Sequence, residues 1–179
     1  MTSLEKHQRG LLALIKHRAP DADDAWLRQI SGSKQMEMLA EIALWWRLYQ
    51  IKEQCRYTAR LLRRLRRYEQ TVKAFFEANT TSPYIEKLSR DFLTSLTVHP
   101  DALISAVATF ELACLQIPLS SQRWRIVWDR EPTCVLLALD QEAAIPPPET
   151  DCHYVMQVGA DVPGRAMCTR CANFFPGSF

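Results

Sequence analysis

Six arginines fall within twelve positions, Arg56 to Arg67, in the stretch QCRYTARLLRRLRRYEQ of residues 54–70. Helical spacing puts Arg56, Arg60, Arg63 and Arg67 on one face, flanked by Arg64 and Arg66. A row of guanidinium groups suits an anionic partner: an acidic protein surface, an acidic peptide or phosphate oxygens. It also serves simply as a solvated helix face. The surrounding charge helps to choose. Between Ile51 and Lys73 there are eight basic residues against two acidic, and between Asp129 and Asp161 seven acidic against one basic, although the formal net charge is only +2. Charge is therefore polarised between regions, as a directional docking surface requires. Nucleic-acid binding is better supported by a wholly basic domain of pI above about 9. Here the pI is 8.2, and neither a glycine-turned helix-turn-helix nor an aromatic RNA-binding signature accompanies the arginines. A nucleic-acid-binding regulator is thus the alternative reading, ranked below a protein or peptide partner.

The other chemistry-bearing residues are scattered. Cys168 and Cys171 have the spacing of half a zinc site or of a redox pair, but a closed site needs two further ligands. Adjacent Cys152 and His153 are the only nearby candidates, and they do not form a second CxxC. Cys55, Cys114 and Cys134 lie in apolar runs and read as small core residues. The four histidines, His7, His17, His99 and His153, are far apart, with no HExxH or HxxE grouping. A multinuclear centre needs several such ligands converging. Nor is there a nucleophile elbow, phosphate loop or dinucleotide fingerprint. These patterns assign no catalytic residue, metal ligand or cofactor to this chain. Glu111, inside the apolar run ATFELACL, lies either on the wet edge of a helix or buried with a basic partner such as an arginine of the central helix. Trp124 and Trp128 share a strand face, with Arg123 and Arg125 beside them. They read either as core packing or as part of an exposed sheet edge able to receive an extended peptide.

The elements that position these residues are legible from periodicity. The pattern predicts an α+β chain: a helical region over residues 1–118, a small antiparallel sheet region over 119–164, and a flexible tail over 165–179. Thr2 and Glu5 fit a capping box, and Pro20 stops the first helix. A short helix after Asp21 ends near Gly32. Residues 33–79 hold neither Pro nor Gly. Within them the stripe Leu44, Leu48, Ile51, Cys55 fails to join the stripe Tyr57, Leu61, Leu65, Tyr68, Val72, Phe75, which predicts two helices or a bend near Arg56. Ser82-Pro83 and Pro100-Asp101 start two more helices. RWRIVWD alternates as a strand, HYVMQV reads as another, and TCVLLAL is a strand or a buried helical turn. LLALI is too short for a secretory core, and no run approaches the ~18 apolar residues of a membrane helix. The expectation is a cytoplasmic protein with reduced cysteines.

Several segments in order carry a family resemblance: RYTARLLRRLRRYEQTVKAFFEANTTSPYIEKLSRDFLTSL, HPDALISAVATFELA, RWRIVWDREPTCVLLAL and HYVMQVGADVPG. Over about residues 36–164 this order resembles the small partner subunits found beside TIM-barrel multinuclear iron oxidases in ribosomal peptide natural-product pathways of the 3-thiaglutamate and methanobactin type. The N-terminal part also resembles a wider bacterial family described as DNA-binding. The markers are Phe92, Leu93, Phe110, Glu111, Trp128 with Pro132, and Tyr154; Cys168 and Cys171 lie outside the match. The resemblance implies an accessory chain that forms a heterodimer with the barrel and recruits the leader of a precursor peptide. The barrel holds the iron and oxidises a cysteine of that peptide, with loss of its β-carbon in the 3-thiaglutamate branch. Under that reading the contact candidates are Arg60, Arg63, Arg67, Arg123, Trp124 and Arg125.

Overall fold

A computed structural model describes residues 3–16, 24–79, 84–119 and 121–172. The expected caps and stops at Thr2, Pro20, Asp21 and Ser82-Pro83 lie outside these. Among the described residues there are eight α-helices and one three-stranded antiparallel sheet, the α+β architecture that the sequence pattern predicts. The order is α1 (Ser3–Ile15), α2 (Ala25–Ser31), α3 (Lys34–Gln54), α4 (Arg56–Arg64), α5 (Tyr68–Ala78), α6 (Ile85–Leu96), α7 (Ala102–Gln116), β1 (Trp124–Trp128), α8 (Pro132–Asp140), β2 (Cys152–Val158) and β3 (Ala166–Ala172).

Local chemistry sets several of these boundaries. Asp24 and Ser33 accept hydrogen bonds from the backbone N–H of Leu27 and Met36, capping α2 and α3. Asp101 accepts from Leu103 and Ile104 and caps α7, as Pro100-Asp101 predicts. The apolar run TCVLLAL is helical. Pro132 sits at its first turn, with its φ already suited to a helix, and Pro132, Val135, Ala138 and Leu139 form its buried face.

The segment 33–79 breaks twice. The break at Cys55 falls beside Arg56, where the apolar stripes disagree. The second follows Arg64, where the chain turns with Arg66 at a φ of 55°. Arg67 N–H donates to the Leu62 carbonyl and Arg66 N–H to that of Arg63, the paired bonds of a left-handed helix stop. Glycine normally fills that position; arginine carries steric strain there.

The sheet order is β1-β2-β3, so β1 and β3 are both edges. Trp124 pairs with Val158 and Trp128 with Tyr154; Cys152 pairs with Ala172 and Val158 with Ala166. The sheet therefore extends beyond residue 164: residues 166–172, expected in the flexible tail, are a strand. Their polar and small side chains carry no alternation signal, and cross-strand pairing with β2 supplies the order instead. Residues 173–179 of that tail lie outside the described residues. One face of β2 (Cys152, Tyr154, Met156, Val158) joins the main core with Ile126 and Trp128 of β1. That core is continuous from Ile51, Leu61 and Leu62 through Phe92, Leu93, Ile104 and Val107 to Val135 and Leu139. Phe75 meets Phe92 edge-on at 5.3 Å. The sheet and the helices from α3 onward are thus joined by one apolar interior, while Leu14, Leu27 and Met36 form a second, smaller cluster.

Relieving the left-handed arginine is expected to stabilise the fold. Arg66→Gly removes the Cβ penalty but gives the unfolded chain more freedom, leaving a net gain of about 0.5–1 kcal/mol. Thermal denaturation followed by circular dichroism should show a rise of about 1–4 °C; a fall would mean that the Arg66 side chain itself stabilises the turn.

Candidate functional site

Glu111 fixes the arginine helix. It is 6 % exposed on α7, and its two carboxylate oxygens accept from the backbone N–H groups of Tyr57 and Thr58 at 2.9 and 3.0 Å. Those are unpaired first-turn donors of α4, which has no side-chain cap of its own. Of the two sequence options, burial is the one observed, with the helix N-terminus rather than a guanidinium as the direct partner. Burial pushes the Glu111 carboxyl above its ordinary value; the amides of Thr58 and Tyr57 and the charge of Arg56 pull the other way.

From that fixed start, Arg56, Arg60 and Arg64 follow at intervals of four and grip the end of α8. Arg56 and Arg60 both pair with the Asp140 carboxylate, Arg60 at 2.5 Å. Arg60 Nη1 also donates to the Leu139 and Asp140 carbonyls at 3.2 and 3.3 Å. Arg64 donates to the Ala138 carbonyl at 2.8 Å and to that of Ala143. The three cations meet the negative end of a helix dipole and its unpaired carbonyls. The arginine face thus differs from the sequence expectation. The structural row is 56, 60 and 64, because α4 ends at Arg64 and the turn at Arg66 carries Arg67 to the start of α5.

Arg63, Arg66 and Arg67 remain solvent-exposed, and among the described residues their side chains make no hydrogen bond or ion pair. Arg63 stands between two shallow clefts. One, of about 340 Å³, is lined by Arg60, Arg64, Leu139 and Glu142; the other, of about 300 Å³, by Arg66, Tyr68 and Glu69.

A third surface forms where β1 meets α7. A groove of about 440 Å³ runs along the strand from Arg125 to Asp129, faced by Ala102, Ser105, Ala106 and Thr109. These four small residues recur at helical spacing, so another backbone can approach closely. Among the described residues β1 pairs only with β2, so no described strand lies along its outer edge, where a further strand could add. Trp128 lines the groove and is 1 % exposed, and its indole N–H has no acceptor among the described residues. An unpaired buried donor costs about 1–3 kcal/mol. Trp128 also packs edge-on against Phe110, so the core reading of this tryptophan holds. Trp124 is half-buried against the same core. Arg125 projects from the opposite, exposed face of β1. Arg123, just before the strand, donates from Nε to Asp161 at 2.6 Å. The six candidate residues therefore divide between two places, with Arg60, Arg63 and Arg67 near the end of α4 and Arg123, Trp124 and Arg125 at β1.

The cysteine pair is resolved by register. Cys168 pairs with Met156 and Cys171 with His153. Residues three apart on a strand face opposite ways, so these two thiols do not converge on one ion or one disulfide while β3 is paired. Among the described residues no group of three or more His, Cys, Asp or Glu is placed to hold a metal ion. Cys152 instead belongs to a polar cluster with Glu149, which accepts from Cys152 and from Tyr154, each at 2.8 Å, and from Arg170 at 3.2 Å. This cluster ties the loop after α8 to β2 and β3. Its hydrogen bonds, that from Cys152 first, hold the Glu149 carboxyl below its ordinary value.

Sequence periodicity missed the outer face of α3. Met38, Leu39, Ile42, Trp45, Trp46 and Tyr49 are between 44 and 61 % exposed. The signal was present: apolar and polar residues are both spread round this helix, so its apolar side chains are not confined to the face that packs on the core. No protein-family model, curated protein or solved structure matches the chain. No helix among the described residues is long and apolar enough to cross a membrane.

The Glu111 cap gives a signed pH prediction. Because its folded pKa is raised, its contribution is fully present below the ordinary value of 4.5 and is lost as pH rises through the folded value. Glu111→Gln leaves one amide of α4 without an acceptor, which costs about 1–3 kcal/mol near pH 5. That penalty should shrink toward pH 8, because the variant has no carboxyl to ionise. Urea unfolding across this range checks it, and a penalty that grows with pH would contradict the assignment.

Proposed function

We propose that this chain is a non-catalytic recognition subunit that holds an extended peptide along β1 and presents it to a separate enzyme. The observation that carries this reading is the groove between the small-residue row of α7 and β1, along whose outer edge no strand of the described residues pairs. An edge strand supplies main-chain hydrogen bonds for affinity, and adjacent pockets supply side-chain selectivity. Five residues of strand match a bound segment of about 17 Å at 3.3 Å per residue. Arg125 and Trp124 would border it.

The partner follows from the resemblance of residues 36–164 to small subunits of multinuclear iron oxidases. On this reading the peptide is a ribosomally made precursor. The oxidase supplies the iron and oxidises the peptide's cysteine by excision of its β-carbon, and this chain recruits the leader in the cytoplasm. Arg63, Arg66 and Arg67, which pair with no carboxylate among the described residues, are the cations offered to an acidic surface of the barrel; Arg60 is engaged by Asp140 and contributes through its position at the cleft. The same three arginines are what a duplex would meet under the nucleic-acid alternative.

Co-expression with the barrel oxidase and precursor encoded nearest this gene tests the reading. The expected result is a stable complex that survives gel filtration, with iron in the barrel chain only and β-carbon loss in the peptide only when both proteins are present. Charge reversal of Arg63 and Arg67 should weaken complex formation by on the order of tenfold. Iron retained by this chain alone, or duplex DNA affinity falling steeply with salt, would contradict it.

A further inference from the structure

The outer face of α3 demands an occupant. The inner face of this helix packs against α1, α4, α5 and α6 and buries Met36, Ala40 and Ile51. Its opposite face carries Met38, Leu39, Ile42, Trp45, Trp46 and Tyr49. Trp45 stacks on Tyr49 at 5.9 Å and 12°, and Trp46 stacks on the same ring at 5.7 Å and 26°. With aromatic side chains worth about 150–250 Å² each, the half-exposed set presents on the order of 600 Å² of apolar surface. That is the upper end of what a monomer displays as one patch.

We propose that this face is the interface of a homodimer in which α3 packs antiparallel to α3 of a second copy. The choice of occupant rests on three properties of the face. Met38, Ile42, Trp45 and Tyr49 are spaced by four, three and four residues, which is the seam of a helix pair packed at a shallow angle. A two-fold axis between Ala43 and Leu44 sets Met38 opposite Tyr49 and Ile42 opposite Trp45. Each ring then meets an aliphatic chain, and a methionine sulfur meets an aromatic. The same axis sets Lys34 opposite Glu53, twice by symmetry, and places Glu41 opposite Trp46. A parallel pair would instead set Lys34 on Lys34, Glu41 on Glu41 and Trp45 on Trp45. Finally, two such faces bury on the order of 1,200 Å², the lower bound of a stable specific interface.

The inference does not depend on the peptide reading, because α3 belongs to the helical layer and the groove to the sheet. If both hold, the chain with its peptides and oxidase forms a symmetric assembly containing two copies of each protein.

Sedimentation velocity on the full chain across the micromolar range tests the dimer. The expected species has twice the 20.6 kDa chain mass. Ile42→Glu should convert it to a monomer with an unchanged circular dichroism spectrum. Because that variant places a charge among rings, a charge swap on exposed positions provides the second arm. Lys34→Glu should weaken dimerisation on the order of tenfold, and Lys34→Glu combined with Glu53→Lys should restore it. A wild-type chain that stays monomeric overturns the proposal, even if α3 then captures a different protein. So does a dimer indifferent to Ile42→Glu, or a Lys34→Glu defect that Glu53→Lys fails to repair.

Discussion

A buried carboxylate meeting the open end of a helix organises this molecule. Glu111 sits on α7 among buried Leu103, Ile104, Val107, Ala108, Leu112 and Ala113, where an ionised group without partners would be costly. The first-turn amides of α4 supply those partners, and they lack any other cap. Each end of the contact therefore satisfies what the other leaves exposed. The consequence is positional. With α4 fixed at its start, Arg56, Arg60 and Arg64 reach the last turn of α8, whose carbonyls and Asp140 are the complementary negative end. Two helix termini, one positive and one negative, are thus satisfied from α7 and α4, and the segment between the sheet strands is held against the bundle.

This arrangement accounts for the concentration of positive charge in a nearly neutral chain. Half of the arginines are consumed internally, and each exposed pair adds less than about 1 kcal/mol. Their value lies in geometry: they set where α8 ends and hence where the loop into β2 begins. Glu149 closes the other end of that loop through Cys152, Tyr154 and Arg170. The sheet is consequently anchored on one face and along the loop, while no described strand pairs with the outer side of β1 beside α7. A strand edge next to small helical residues is a place where a second backbone fits without displacing side chains, and that is the structural basis for reading the chain as a peptide holder.

Helix positions were the most legible feature of the sequence, because stripes such as that running through Leu61, Tyr68, Val72 and Phe75 report burial directly. The cap at Asp101 and the disagreement of stripes beside Arg56 are local signals too. The second break, at Arg66, was not legible, since arginine is a poor marker for a left-handed residue and only the backbone reveals it. The strand β3 was illegible for a different reason: its order comes from pairing with β2, a long-range effect that a run such as AMCTRC does not encode locally. The division of the arginines needed the tertiary structure, because an acceptor eighty residues away, Asp140, decides which of them are engaged. The α3 aromatics are hard to read in the sequence because the stripe Leu44, Leu48, Ile51 and Cys55 by itself accounts for the helix as a packed element.

Amide hydrogen exchange across β1 reaches the central claim most directly. With the precursor peptide added to the purified complex, the outward-pointing, alternate amides of residues 124–128 should slow markedly while those already bonded to β2 stay unchanged. Equal exchange at β1 with and without bound peptide, in a sample where binding is independently verified, would contradict strand addition at this edge.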